Sequence, residues 1–180
     1  MILSDVDIHS YIDSKKLVIE KISDDTIREN GVDLRIGNEI SRFVNIDSPV
    51  DISKKEELSK LYITERIENS FILGKNERVL VKIKEKITLP DDLVGFCNIR
   101  STFVRLGMSI PPTIADAGFS GYLTILLVGG PLPVVIEKDM RMLHLVFSKT
   151  NSRVNQPYSG KYQNSTGVTG AKDINLNKRK

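Results

Sequence analysis

The sequence has one cysteine, Cys97, no tryptophan, and only two histidines, His9 and His144. A single thiol cannot close an internal disulfide, and no thiolate cluster is present for a structural zinc. Cys97 lies in an apolar run and is predicted to be a small buried hydrophobe. Long hydrophobic runs are missing too. None approaches the roughly 20 residues that span a bilayer, and the start, Met-Ile-Leu-Ser-Asp, has no charged segment leading into an apolar one. These absences predict a soluble, cytoplasmic protein with no membrane partner. Charge of one sign is also lacking: 26 basic against 23 acidic residues leave +3, which the cluster at 178–180 matches by itself. Nucleic-acid binders gather Lys and Arg on one face or interleave them with aromatics, and neither pattern is visible, so no nucleic-acid partner is expected.

What is present reads as one mostly β domain. With 180 residues and 40% hydrophobic content the chain suffices for a single core. Residues 4–17 are predicted as a short helix capped by Ser4, with Asp5 and Asp7 in its first turn and Ile8, Tyr11 and Ile12 on one face. His9 falls on that helix's surface. Strands are predicted at 32–36 and 40–44, split by Gly37-Asn38, and then at 78–83, 86–89, 94–99, 122–128, 134–136 and 143–147. Pro90-Asp91-Asp92 and Gly129-Gly130-Pro131 punctuate them, a spacing that suits a sandwich or barrel. The Lys- and Glu-rich run 53–60 is expected to be an exposed insertion or a short solvated helix. From Asn151 the chain turns polar and rich in Gly, Ser and Asn. The expected division is a β domain over 1–155 and a flexible C-terminal arm over 156–180.

One carboxylate stands apart. In Pro111-Pro112-Thr113-Ile114-Ala115-Asp116-Ala117-Gly118-Phe119-Ser120-Gly121, Asp116 sits in a glycine-punctuated turn between apolar runs. Site residues concentrate on such loops when the flanks are rigid. A lone aspartate before glycine also fits an Asx-turn that bonds its own backbone. Two companion segments shift the balance, Asn30-Gly31-Val32-Asp33-Leu34-Arg35-Ile36-Gly37 and Gly95-Phe96-Cys97-Asn98-Ile99-Arg100-Ser101-Thr102-Phe103-Val104-Arg105-Leu106-Gly107. Asp139-Met140-Arg141-Met142-Leu143-His144-Leu145 follows, and then Gly160-Lys161-Tyr162-Gln163 with Gly167-Val168-Thr169-Gly170. In that order the five segments resemble the motifs of the dUTPase and dCTP deaminase superfamily, and most of all an archaeal-type dUTPase.

The resemblance implies an all-β fold, a distorted jelly-roll β-barrel of the dUTPase-like type with a short N-terminal helix. It implies a homotrimer with shared active sites that hydrolyses deoxyuridine triphosphate (dUTP) to dUMP and pyrophosphate with Mg2+. Such chemistry needs a positioned water, a carboxylate to take its proton and positive charge for the phosphates. Asp116 is then the catalytic base. Phe119 packs on the sugar and excludes a ribose 2′-hydroxyl, since burying a hydroxyl without a partner costs on the order of 1–3 kcal/mol. Arg100 and Ser101 are the candidate phosphate clamp, with Thr102 and Arg105 as further substrate-binding residues. Without the motif, Arg100 reads as a surface arginine ending a strand. Asp33 is a candidate for binding Mg2+ through water, or for pairing with an arginine across a subunit interface. His144 stands where trimeric dUTPases carry a phosphate-touching glutamine and also reads as a structural histidine, while Arg141 frames the site or an interface. Lys161, Tyr162 and Gln163 are candidate substrate-binding residues of a tail that closes over the base. The uracil edge is expected to meet backbone groups of residues 109–115.

One position departs from the deaminase branch. Its members carry a glutamate five residues past the glycine that matches Gly121, where this chain has Leu126. Leucine cannot move a proton, and Thr124 and Val128 on the same strand face offer no carboxylate. The Arg105-Leu106-Gly107 run and the Lys-Tyr-Gln tail, in contrast, look like the deaminase and bifunctional members. The sequence ranks a dUTP diphosphatase first, a mono- or bifunctional dCTP deaminase second and an inactive nucleotide-binding paralogue third.

Overall fold

Helix α1 (Asp5–Asp13) begins with a reciprocal cap in which Ser4 Oγ accepts the Asp7 N–H and the Asp7 carboxylate accepts the Ser4 N–H. Ile8 is fully buried on its inner face, and His9 is exposed. The structure, a computed structural model, describes residues 1–172, so the basic cluster at 178–180 lies outside the described residues. Short strands β1 (Val18–Ile19) and β2 (Ile27–Arg28) lead into β3 (Gly31–Phe43). Then come α2 (Lys55–Ser59), β4 (Tyr62–Arg66), β5 (Ser70–Leu73), β6 (Arg78–Thr88) and β7 (Leu93–Ile99). The short helix α3 (Ser101–Arg105), β8 (Thr113–Ala115), β9 (Ser120–Val128), β10 (Val134–Glu137) and β11 (Arg141–Lys149) complete the order.

Nine strands form one antiparallel sheet, ordered β1-β6-β3-β11-β7-β8, with β2 and β4 also pairing β3 and β9 pairing β6. The sheet curls into a half-barrel, and β5 and β10 make a separate two-stranded ribbon. The mostly β class predicted from alternation is the one observed. β6 sends Val79, Val81, Ile83 and Ile87 inward and β9 sends Leu123, Ile125 and Leu127 to meet them. Each such side chain stabilises the fold by about 1.5–3 kcal/mol on full burial. No described helix is long and apolar enough to cross a membrane.

Two expected breaks are bends instead. Gly37-Asn38 does not divide two strands; β3 runs through it, and its pairing with β6 shifts register between Ile36 and Ile40. A Cβ on Gly37 would lie 2.9 Å from the Lys82 carbonyl oxygen, so glycine lets the two strands cross closely. β6 likewise runs on where a gap was expected between residues 83 and 86, with its own shift against β9 between Lys82 and Lys86. At this corner the Arg35 N–H has lost a ladder partner and donates to Glu85 Oε2 (2.8 Å), while Arg35 Nη1 lies 3.1 Å from Oε1. Glu85 is fully buried. Burial pushes its carboxyl above the usual glutamate range, and the bonds from Arg35 pull it back.

The arm expected over 156–180 is described as far as residue 172 and makes bonds to the β domain. Residues 158–171 lie along β9, held by backbone bonds that a polar composition does not reveal. The Tyr158 N–H donates to Ala117 O (2.8 Å), Asn164 N–H to Ser120 O (2.7 Å) and Tyr122 N–H to Ser165 O (3.0 Å). The tail is tied to the same turn that carries Asp116.

Candidate active site

The turn after β8 presents Asp116. The Phe119 N–H donates to Asp116 O (3.0 Å) and Gly118 takes φ +86°, a conformation that glycine adopts without strain. Gly118 is doubly required, because a Cβ there would lie 2.5 Å from Pro157 Cβ where the tail crosses. Asp116 does not form the Asx-turn: among the described residues its carboxylate accepts no bond from the protein, and the residue is exposed. It stands at the wall of a cavity of about 600 Å³ between β9 and the tail.

Aromatic rings line that cavity. Phe119, 6% exposed, meets Tyr158 at 5.9 Å between centroids, and Phe43 meets Tyr62 at 5.1 Å. Tyr122, Thr124 and Leu126 form the β9 side, and Leu80 pairs with Leu126 from β6. The Lys82 ammonium sits 4.4 Å from the Tyr122 ring centroid and 3.8 Å from Glu39. The tail closes the far side. Glu39 Oε2 accepts the Val168 N–H (3.0 Å), Thr124 Oγ1 the Thr169 N–H (3.0 Å), and Tyr62 Oη the Ala171 N–H (3.2 Å). Tyr158, Tyr62 and Tyr122 are site residues that the sequence reading passed over. Tyr158 carried a signal, an aromatic beside proline in an otherwise polar tail, whereas Tyr62 follows a solvated insertion and carried none.

A second group assembles elsewhere. Asp33, Arg100, Ser101 and His144 line a separate recess of about 290 Å³. The Arg100 Nε lies 3.0 Å from Asp33 Oδ2, and His144 Nδ1 lies 2.9 Å from Asp33 Oδ1. Ala115 pairs with Gly95, so Asp116 leaves the sheet at one end of β7 and Arg100 follows the other. At about 3.3 Å per residue they are roughly 20 Å apart along the strand. One chain does not bring Asp116 and Arg100 together.

The other candidates divide between the two places. Tyr162 lines the aromatic cavity. Gln163 does not reach into it: its amide is spent on the backbone, accepting the Ser120 N–H and donating to Gly118 O (both 2.9 Å), so it pins the tail. Lys161 is exposed and offers its carbonyl to the Lys172 ammonium. Thr102 and Arg105 are exposed on α3. Cys97 is buried, which pushes its thiol up to about 12. Magnesium does not fit as a resident ion at Asp33. That carboxylate is 3% exposed with both oxygens engaged, and no cluster of three metal-ligating side chains occurs among the described residues.

A model of the dCTP deaminase-like family matches residues 2–150. The chain belongs to this family. Its enzymes act in nucleotide metabolism, and four of the five segments singled out in the sequence lie within the matched residues. A probable deoxyuridine 5′-triphosphate nucleotidohydrolase of Sulfolobus islandicus rod-shaped virus 1 is 53% identical over 173 residues, 96% of this chain and 99% of that protein. The dCTP deaminase of Desulfurococcus amylolyticus is 48% identical over 172 residues, 96% of this chain and 95% of that one. Further relatives at 44–47% identity also bear the name dCTP deaminase. The crystal structure of 2′-deoxycytidine 5′-triphosphate deaminase from Agrobacterium tumefaciens shares the fold, with a TM-score of 0.66 at 22% identity over 81% of this chain. The chain spans less than half of that structure, 46% of its length.

Proposed function

We propose that the chain hydrolyses dUTP to dUMP and pyrophosphate at sites shared between copies of itself. The observation that carries this is the make-up of the aromatic cavity. Asp116 is the one carboxylate among its described lining residues, and Leu126 lines it where the deaminase branch keeps a glutamate. The unbonded Asp116 carboxylate takes a proton from a water that attacks the α-phosphorus, and the bond from that phosphorus to the bridging oxygen breaks to release pyrophosphate. Phe119 supplies the apolar wall against the sugar. Arg100 and Ser101 of a second copy neutralise the phosphates, since the same chain's pair is too distant. An apolar strip between the two half-sites supports that assembly: Phe96 and Ile114 face each other across β7 and β8 and are 39% and 53% exposed, with Val104 beside them. A homotrimer is the expected assembly. Any Mg2+ enters as counter-ion of the triphosphate.

The names of the relatives weigh toward the other branch. Seven are dCTP deaminases against one nucleotidohydrolase, so by relatedness a mono- or bifunctional deaminase is the better supported reading. The hydrolase is preferred here on chemistry, because amine removal needs an acid that shuttles protons at the base and leucine cannot serve. One assay separates them. The protein is incubated with dUTP or dCTP and Mg2+ while pyrophosphate and ammonia are followed. Pyrophosphate from dUTP without ammonia from dCTP is expected; ammonia from dCTP overturns the hydrolase assignment in favour of the deaminase, and binding without product indicates an inactive paralogue.

A further inference from the structure

The recess around Arg100 holds a longer series of charges than a clamp alone requires. Asp33 Oδ2 takes Arg100 Nε at 3.0 Å and lies 3.7 Å from Arg141 Nη1, while Oδ1 faces His144 Nδ1 at 2.9 Å. Arg141 is tied in turn to Asp25, through Nε to Oδ2 (3.2 Å) and through Nη1 to the backbone oxygen (3.0 Å). Asp25 pairs with Arg35, and Arg35 with the buried Glu85. Alternating charges therefore run from the core of the sheet to Arg100.

The arrangement restricts Arg100 to one pose. Its Nε–H is taken by Asp33 and one Nη1–H by the Arg141 carbonyl (3.2 Å), while Nη2 makes no bond to protein among the described residues. Arg100 remains 34% exposed, against 4% for the Asp33 side chain. The sequence also makes room for the histidine. A Cβ on Gly31 would lie 2.6 Å from the Leu145 carbonyl oxygen and 3.0 Å from His144 Nε2, so glycine at the start of β3 admits both the β11 backbone and the histidine ring. A guanidinium fixed before the ligand arrives loses less freedom on binding than one that must be ordered by it.

We infer that Asp33, oriented by His144, is a positioning residue that holds the Arg100 guanidinium with its Nη2 edge toward a phosphate oxygen, and is not a holder of metal-bound water. This rests on the assignment of Arg100 as the phosphate clamp. It makes the carboxylate's work independent of metal.

The test is calorimetric titration of the full chain, in its native assembly, with inorganic tripolyphosphate in the presence of EDTA. The wild type binds. Asp33→Asn weakens binding about tenfold or more, the scale of one charge-assisted hydrogen bond. His144→Leu weakens it as well, whereas His144→Gln, which keeps an N–H donor for Asp33, stays within about threefold of the wild type. With dUTP, Asp33→Asn and His144→Leu raise KM and leave kcat nearly unchanged, a split that general loss of structure does not produce. If Asp33→Asn fails to fold, the two His144 variants decide. Unchanged affinity in Asp33→Asn and His144→Leu, or a loss that appears only when Mg2+ replaces EDTA, overturns the inference while the clamp stands. A wild type without affinity for tripolyphosphate removes the clamp assignment and this inference with it.

Discussion

A mixed assembly of two crippled chains should regain activity. Asp116→Asn removes the proposed base and Arg100→Ala the proposed clamp, and each variant alone is expected to be nearly inactive. Ala115 opposite Gly95 sets Asp116 and Arg100 at opposite ends of β7. Roughly 20 Å of strand, at about 3.3 Å per residue, is too far for both to act on one phosphate. Every working site must then draw Asp116 from one chain and Arg100 from its neighbour across a head-to-tail interface. If the chains are dissociated, mixed in equal amounts and reassembled at random, a site is whole when an Arg100→Ala chain supplies Asp116 and an Asp116→Asn chain supplies Arg100. That combination arises at about one site in four. Pyrophosphate release from dUTP should therefore recover to roughly a quarter of the wild-type rate per chain. Differently tagged chains and native mass measurement establish that mixed assemblies have formed. Mixed assemblies no more active than the sum of their parents would refute the shared site, because a site within one chain is broken in every chain of the mixture.

Four further outcomes follow from particular contacts. A chain ending at Asn155 loses Tyr158 and the bonds to Tyr122, Thr124 and Glu39 but none of the sheet; it should keep its fold by circular dichroism and lose most of its turnover, and undiminished turnover contradicts the tail's part in the site. Glu85→Ala leaves the Arg35 N–H without an acceptor, though Asp25 still pairs the guanidinium, and is expected to cost about 1–3 kcal/mol, lowering the melting temperature by roughly 5 °C. Because burial raises the Glu85 pKa, the folded chain binds its proton more readily than the unfolded one between the ordinary glutamate value and the raised one. The Glu85 contribution to stability should therefore decline as pH rises through that window, and Glu85→Gln should abolish the slope; a slope retained in Glu85→Gln contradicts it. Cys97, with its thiol pushed up to about 12 by burial, should resist thiol reagents at pH 8 until the protein unfolds, and prompt labelling of the native protein would contradict its placement.

The strands were legible because their burial is simple. Residues 78–83, 94–99 and 122–128 were expected as strands, and each appears as one with burial alternating along it. Gly37 misled for a physical reason: a glycine that admits a close strand crossing looks in sequence like one that ends a strand. β4 buries none of its residues and so has no inward stripe to announce it, while β5 is only four residues long, with Phe71 and Leu73 buried around the exposed Ile72. Asp116 and Phe119 could be singled out from one local turn. Their separation from Arg100 could not, because it depends on the pairing of β8 with β7. The contacts of the tail were hidden as well, since they rest on backbone bonds to β9 and the turn before it, which composition does not report. Asp33 shows the limit most clearly: a motif identifies the carboxylate, but only its neighbours Arg100 and His144 show what its oxygens are doing.

The most direct test of the account is the rate at which Asp116→Asn releases pyrophosphate from dUTP, measured beside its affinity for a non-hydrolysable dUTP analogue. Loss of a general base predicts a fall of about 10²–10⁴-fold in kcat with analogue binding retained. A variant that turns over dUTP at the wild-type rate would contradict the assignment of Asp116 as the group that activates water.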